Sequence, residues 1–223
     1  MYKLSKKHLV LLCLGVMLLS VTSCGKNQNE DTQNSQTQSQ QQTENTSETE
    51  AETEVRIEIA DANDILTKVW DTYEMEDSDG NIYNDKFAVM GGHFETAVMD
   101  KPAKYDLTKT SDLELMYCVP QTAIAQIDDA ATMVHLMRAS TFTVGAYHVT
   151  DVANVKAVVD GIKQQMIGNQ WLGGFPDEYL IMVVDEQYVV AMLGESQIVE
   201  NFEATLITIY GKQSAVWVNE NIR

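Results

Sequence analysis

Two apolar runs, Tyr179-Leu180-Ile181-Met182-Val183-Val184 and Tyr188-Val189-Val190-Ala191-Met192-Leu193, flank the acidic turn at Asp185-Glu186. Both are rich in β-branched residues and of strand length, so the stretch reads as a β-hairpin. Downstream, Ser196 to Tyr210 has helical spacing, with Ile198, Phe202, Leu206 and Ile209 on one stripe, and Ser214 to Val218 reads as a last strand. Upstream, Asp151 to Ile167 is a second amphipathic helix, with Val152, Val155, Val159, Ile162 and Met166 aligned. Before it, Thr132 to Arg138 and Thr141 to Val149 form two strands joined at Ala139-Ser140. The order β-β-α-β-β-α-β predicts an α+β fold: a mostly antiparallel sheet with amphipathic helices packed on one face.

Further out the pattern weakens. Asp61 to Glu76 reads as a helix capped by Asp61, with Ile65, Leu66, Val69, Trp70 and Tyr73 as its apolar stripe. Lys86 to Met90 is a short strand closed by Gly91-Gly92. Between Asp100 and Ala131 the signals are mixed: Asp112 to Tyr117 starts a helix, Pro120 interrupts it, and Thr122 to Ile127 continues as another. Residues 57–223 therefore make a single globular domain of 167 residues. A domain of that size buries about 70% of its unfolded surface, enough for a core without disulfides or metals.

The first 23 residues have the parts of a secretory signal. Lys3, Lys6 and Lys7 precede an apolar run from Leu9 to Leu19 that is shorter than the roughly 20 residues a membrane span needs. The run ends in Leu19-Ser20-Val21-Thr22-Ser23-Cys24. That sequence resembles the bacterial lipobox, which implies cleavage before Cys24 and acylation of its sulfur by palmitate-type chains. Two such chains anchor stably, because each buried methylene contributes about 0.8 kcal/mol. From Gly25 to Arg56 the chain is a Gln/Thr/Ser/Glu tract with the composition of a disordered linker, spanning roughly 30 Å as a random coil. The expected partner is thus a membrane, reached through the Cys24 anchor on the extracellular face of the cell.

Charge narrows the partners further. The whole chain carries −18, and residues 57–223 hold 26 acidic against 10 basic residues. Nucleic acid is excluded as a partner, since its binding rests on cationic contacts that release counterions. Cys13 leaves with the signal and Cys24 is lipidated, so Cys118 has no disulfide partner. Set within Leu115-Met116-Tyr117-Cys118-Val119, it reads as a buried small hydrophobe.

Several local stretches are distinctive: Arg138-Ala139-Ser140-Thr141-Phe142-Thr143-Val144-Gly145, Ile162-Lys163, Gln170-Trp171 and Gly174-Phe175-Pro176-Asp177. Together they resemble an uncharacterised lipoprotein family of Firmicutes with a C-terminal domain of unknown function. The resemblance covers residues 61–210 together with the signal and the linker. It implies an extracellular α+β domain on a Gram-positive cell, and it brings no activity or site residues.

The candidate site is the loop of residues 168–178. Trp171 and Phe175 flank Gly173 and Gly174, and Asp177 follows as a polar anchor; such a rim suits a ring, sugar or peptide. The competing reading turns both aromatics inward as core plugs. Asp77-Ser78-Asp79-Gly80-Asn81 resembles a calcium loop, but Met75 and Lys86 fall where an EF-hand needs acidic ligands, leaving a solvated turn or an irregular cation site. His93, His135 and His148 lack metal-ligand spacing, and Met133, Met137, Met166, Met182 and Met192 read as core residues. Ser196 reads as a helix cap rather than a nucleophile. No catalytic signature and no phosphate-cradling glycine loop is present, so no cofactor is expected. The leading expectation is a non-enzymatic module that binds a small ligand or an envelope protein. The alternatives are a cell-surface hydrolase and a structural or assembly lipoprotein without a ligand pocket.

Overall fold

Residue by residue, the 179–193 stretch folds as expected: Glu178–Val184 and Tyr188–Gly194 pair antiparallel, from Glu178 opposite Gly194 to Val184 opposite Tyr188. Asp185 and Glu186 both take positive φ, 52° and 63°, as a tight hairpin turn with right-handed strand twist demands. The computed structural model describes residues 56–76, 82–83, 86–171 and 174–222. The signal, Cys24, the polar tract up to residue 55 and the Asp77–Asn81 turn lie outside the described residues.

In chain order, α1 is Ala62–Thr72, followed by β1 (Met75–Glu76) and β2 (Ile82–Tyr83), which pair with each other. Three short strands come next: β3 (Val89–Gly91), β4 (Val98–Met99) and β5 (Ala103–Lys104). Helices α2 (Thr110–Tyr117) and α3 (Gln121–Ile124) lead into β6 (Ile127–His135) and β7 (Phe142–Val149). Then follow α4 (Val155–Gly168), β8 (Glu178–Val184), β9 (Tyr188–Gly194), α5 (Ser196–Tyr210) and β10 (Ser214–Asn221). Eight strands form one sheet in the order β10-β8-β9-β7-β6-β3-β4, with β5 also on β6. All its pairings are antiparallel, so the α+β class and the antiparallel sheet hold.

The helices, however, cover both faces of the sheet and not one. On one face Ala130, Tyr147, Ile181 and Ala191 pack with Leu113, Val159 and Ile162 from α2 and α4. On the other, Met133, Val144, Met182 and Val190 pack with Leu66 and Val69 of α1 and Phe202 and Leu206 of α5. Alternate residues of each central strand point to opposite faces, so both sets are buried. Every residue of β8 is buried for this reason. Fully burying one such Leu, Val or Phe side chain contributes about 1.5–3 kcal/mol, which makes the two layers the main source of stability.

Other boundaries move for local reasons. α1 stops at Thr72, short of Glu76, because Tyr73 leaves the helical region and stacks on Trp70 with ring centroids 5.6 Å apart. The second short helix ends at Ile124, and β6 starts at Ile127 where a helix was expected to end, because Ile127 pairs with Val149. The α4 helix begins at Val155, preceded by a 3-10 turn whose Asp151 side chain accepts the Ala153 N–H, leaving Val152 half-exposed. β10 runs on to Asn221. On β7, a Cβ at Gly145 would sit 1.9 Å from the Tyr147 hydroxyl, so the missing side chain is what admits the fully buried Tyr147 ring.

Candidate functional site

Strand direction gives the sheet two ends. At one end lie the β8–β9 turn, the start of β10 and Ile57, whose N–H and carbonyl both bond the Gln213 side chain at 2.6 and 3.0 Å. The chain enters the domain there. At the far end lie the β6–β7 turn, the end of α4, the connection to β8 and the start of α5.

The candidate loop belongs to the far end, and the structure separates its two aromatics. Trp171 is partly buried against the α4 face, and its indole N–H is buried with no hydrogen-bond partner among the described residues. That ring follows the core-plug reading. Phe175 turns outward and is 51% exposed. Gly174, at φ 137°, lies against the β6–β7 turn, where an added Cβ would stand 3.4 Å from the Ser140 hydroxyl. Gly173 lies outside the described residues. Asp177 is not a loose anchor: its carboxylate accepts the Ser196 N–H at 3.4 Å at the start of α5, and its backbone bonds Gly194 and Ile222. Ser196 is the first residue of that helix rather than its cap.

Around Phe175 the far end exposes apolar side chains that the sequence reading missed. Met137, expected in the core, is 83% exposed, because β6 ends at His135 and Met137 falls in the turn. Leu136 and Ile167 are also exposed. The turn is held by His135, whose Nδ1 accepts the N–H groups of Met137 and Arg138 at 3.2 Å each while its ring stacks on Phe87. Burial lowers the pKa of His135, against the pull of Glu195. At the same end, on β8, Glu178 is 7% exposed with one carboxylate oxygen unpartnered among the described residues. Burial, then the charge of Glu200, raise its pKa. Burial also raises that of Glu203.

The entry end is polar and internally bonded. Asp129 accepts the Ala62 N–H at 2.7 Å, Lys104 bridges Asp61 and Asp129, and Asp61 accepts the Asp64 N–H. Burial alone would raise the Asp61 carboxyl, but these donors outweigh it and hold it below the usual range. His148 meets Asp128 at 2.5 Å and packs on Tyr188. Arg56 pairs with Asp185 along a half-open cleft of about 500 Å3 that also takes in Gly211 and Lys212.

The three histidines do not converge. His93 is buried with both ring nitrogens engaged, Nε2 with Asp112 at 2.8 Å and Nδ1 with the Glu95 N–H. None of the three bonds Cys118. That thiol is buried, and desolvation pushes its pKa up to about 12, the reverse of what a nucleophile needs; its hydrogen-bond donor is Asn169. No group of three or more His, Cys, Asp or Glu side chains among the described residues is placed to hold a metal ion. No helix among them is long and apolar enough to cross a membrane. No protein-family profile, curated protein or solved structure matches the chain.

Proposed function

We propose that this chain is a lipid-anchored, non-enzymatic binding module of the cell surface, and that it docks an envelope protein through the far end of its sheet. One observation carries the reading: Phe175, Met137, Leu136 and Ile167 are exposed at the end opposite the one where the polar tract joins the domain. Attachment through Ile57 at the entry end leaves that apolar end available to a partner. Small-molecule sites enclose most of their ligand, whereas side chains projecting from a turn and a connection suit a protein surface. The polar tract and the lipobox support the anchor at Cys24.

A photo-reactive residue placed at Met137 or Phe175 in cells tests this. We expect a discrete protein adduct from both positions and none from Glu186 at the entry end. Adducts from Glu186 alone, or none from the far end, would count against it. The anchor is tested separately: labelled palmitate should enter the wild-type chain and fail to enter Cys24→Ala.

A further inference from the structure

The fold sorts the nine methionines of the described residues by exposure. Met133, Met166, Met182 and Met192 are 0–1% exposed within the two layers, and Met75, Met90 and Met116 pack partly buried against them. Met99, on β4, is 49% exposed, and Met137 is 83% exposed. Met137 is thus the thioether that small solutes reach most freely. Its backbone is pinned as well: Nδ1 of His135 accepts the N–H groups of both Met137 and Arg138, and the His135 ring stacks on Phe87.

The sulfur of Cys118 behaves differently. It is buried, and desolvation raises the thiol pKa to about 12, so it keeps its proton and stays away from oxidants. Oxidation therefore falls on thioethers, and on Met137 first. A sulfoxide there matters because of its neighbours, since Leu136, Ile167 and Phe175 are exposed at the same end. It turns a flexible apolar side chain into a polar one. An interface closing over it must bury the new oxygen without a donor.

We propose that Met137 is a reversible oxidation site, and that its sulfoxide releases the partner docked at the far end. The inference rests on the docking reading above and adds its regulation. The oxidant is a hydroperoxide, hydrogen peroxide being the smallest. A lone pair of the Met137 sulfur attacks one peroxide oxygen; the S–O bond forms as the O–O bond breaks, and sulfur gives up two electrons. The hydroxide that leaves takes the proton of the new S–OH group and departs as water. Return to the thioether oxidises two thiols of a reductase to a disulfide and releases water. Docking and oxidation exclude each other, because a bound partner covers the sulfur that the peroxide must reach.

Two measurements test this. In the purified full chain treated with hydrogen peroxide, peptide mass spectrometry follows each methionine. Met137 should oxidise about tenfold faster than Met133, Met166, Met182 or Met192, and ahead of Met99, at an unchanged melting temperature. Equal rates, or unfolding that accompanies Met137 oxidation, overturn the proposal. In isolated membranes, a photo-reactive residue at Phe175 reports docking. Its adduct should fall about fivefold with peroxide, halving at the dose that half-oxidises Met137, in the wild type and in Met99→Leu. Sulfoxide reductases for both epimers should restore it. Met137→Leu, with no sulfur to oxidise, should lose the peroxide response relative to its own untreated level. An adduct present beforehand and unchanged by peroxide, or lost equally in Met137→Leu, overturns this proposal and leaves docking standing. No adduct before peroxide overturns the docking reading, and the switch with it.

Discussion

The same strands run from one end of this sheet to the other, yet the two ends are built differently. At the entry end polar groups are numerous and many are bonded to one another: Asp129 to the first turn of α1, Lys104 to Asp61, Gln213 to Ile57, His148 to Asp128. Even there Asn63 Oδ1 and the Tyr210 hydroxyl are buried without a partner among the described residues, and Val152 and Ile207 are exposed. At the far end apolar side chains face water, while Trp171 and Glu178 each keep a buried polar atom without a partner among the described residues. The difference is one of degree: the dense polar bonding of the entry end serves the fold, and the far end, with Phe175, Met137, Leu136 and Ile167 uncovered, is where a partner gains most.

The largest expected effect removes a keystone of the entry end. Asp129→Ala deprives the Ala62 N–H of its acceptor and Lys104 of one carboxylate. It should cost about 2 kcal/mol, or 4–8 °C of melting temperature by calorimetry, and leave far-end cross-linking intact. Asp177→Ala takes the acceptor from the start of α5 and should cost about 1 kcal/mol. A cost equal to that of Asp129→Ala would show that both ends rest equally on side-chain hydrogen bonds.

Acid acts on the two ends with opposite sign. Asp61 has a folded pKa below its unfolded value near 3.9, so its contribution is present above that value and lost as pH falls through the lower one. Glu178 has a raised folded pKa, so its charge destabilises the fold above that pKa, and the penalty disappears as pH falls towards the unfolded value near 4.3. Glu178→Gln should therefore raise the melting temperature by about 1–2 °C at pH 7.5 and by nothing at pH 4. A gain that persisted at pH 4 would trace to packing and not to charge. An effect of similar size tests the hairpin: Glu186→Gly relieves a left-handed conformation and should stabilise by roughly 0.5–1 kcal/mol in chemical denaturation.

The 179–193 hairpin, its turn and the buried stripes of α4 and α5 were legible in the sequence because period and turn chemistry are local. The second helical layer left a sign as well. The run from Tyr179 to Val184 holds no polar alternation, which an antiparallel strand shows when one face meets water. Residues 98–131 resisted reading for a different reason. Strands of two residues exist only through pairing with β3 and β6, and Cys118 ends α2 in a left-handed conformation that its sequence does not announce. At the site, the stretch from Trp171 to Asp177 was singled out, but which ring faces outward depends on where α4 ends over the sheet. The capping role of Asp177 spans 19 residues to Ser196, beyond any local motif.

The direction of the strands also governs how the domain bears load. Force entering at Ile57 and resisted at Phe175 runs along the strands, not across them. Inter-strand hydrogen bonds lie perpendicular to that pull, so they are sheared together instead of being peeled apart one by one. The docking proposed above would therefore load the domain in its mechanically stiffest direction.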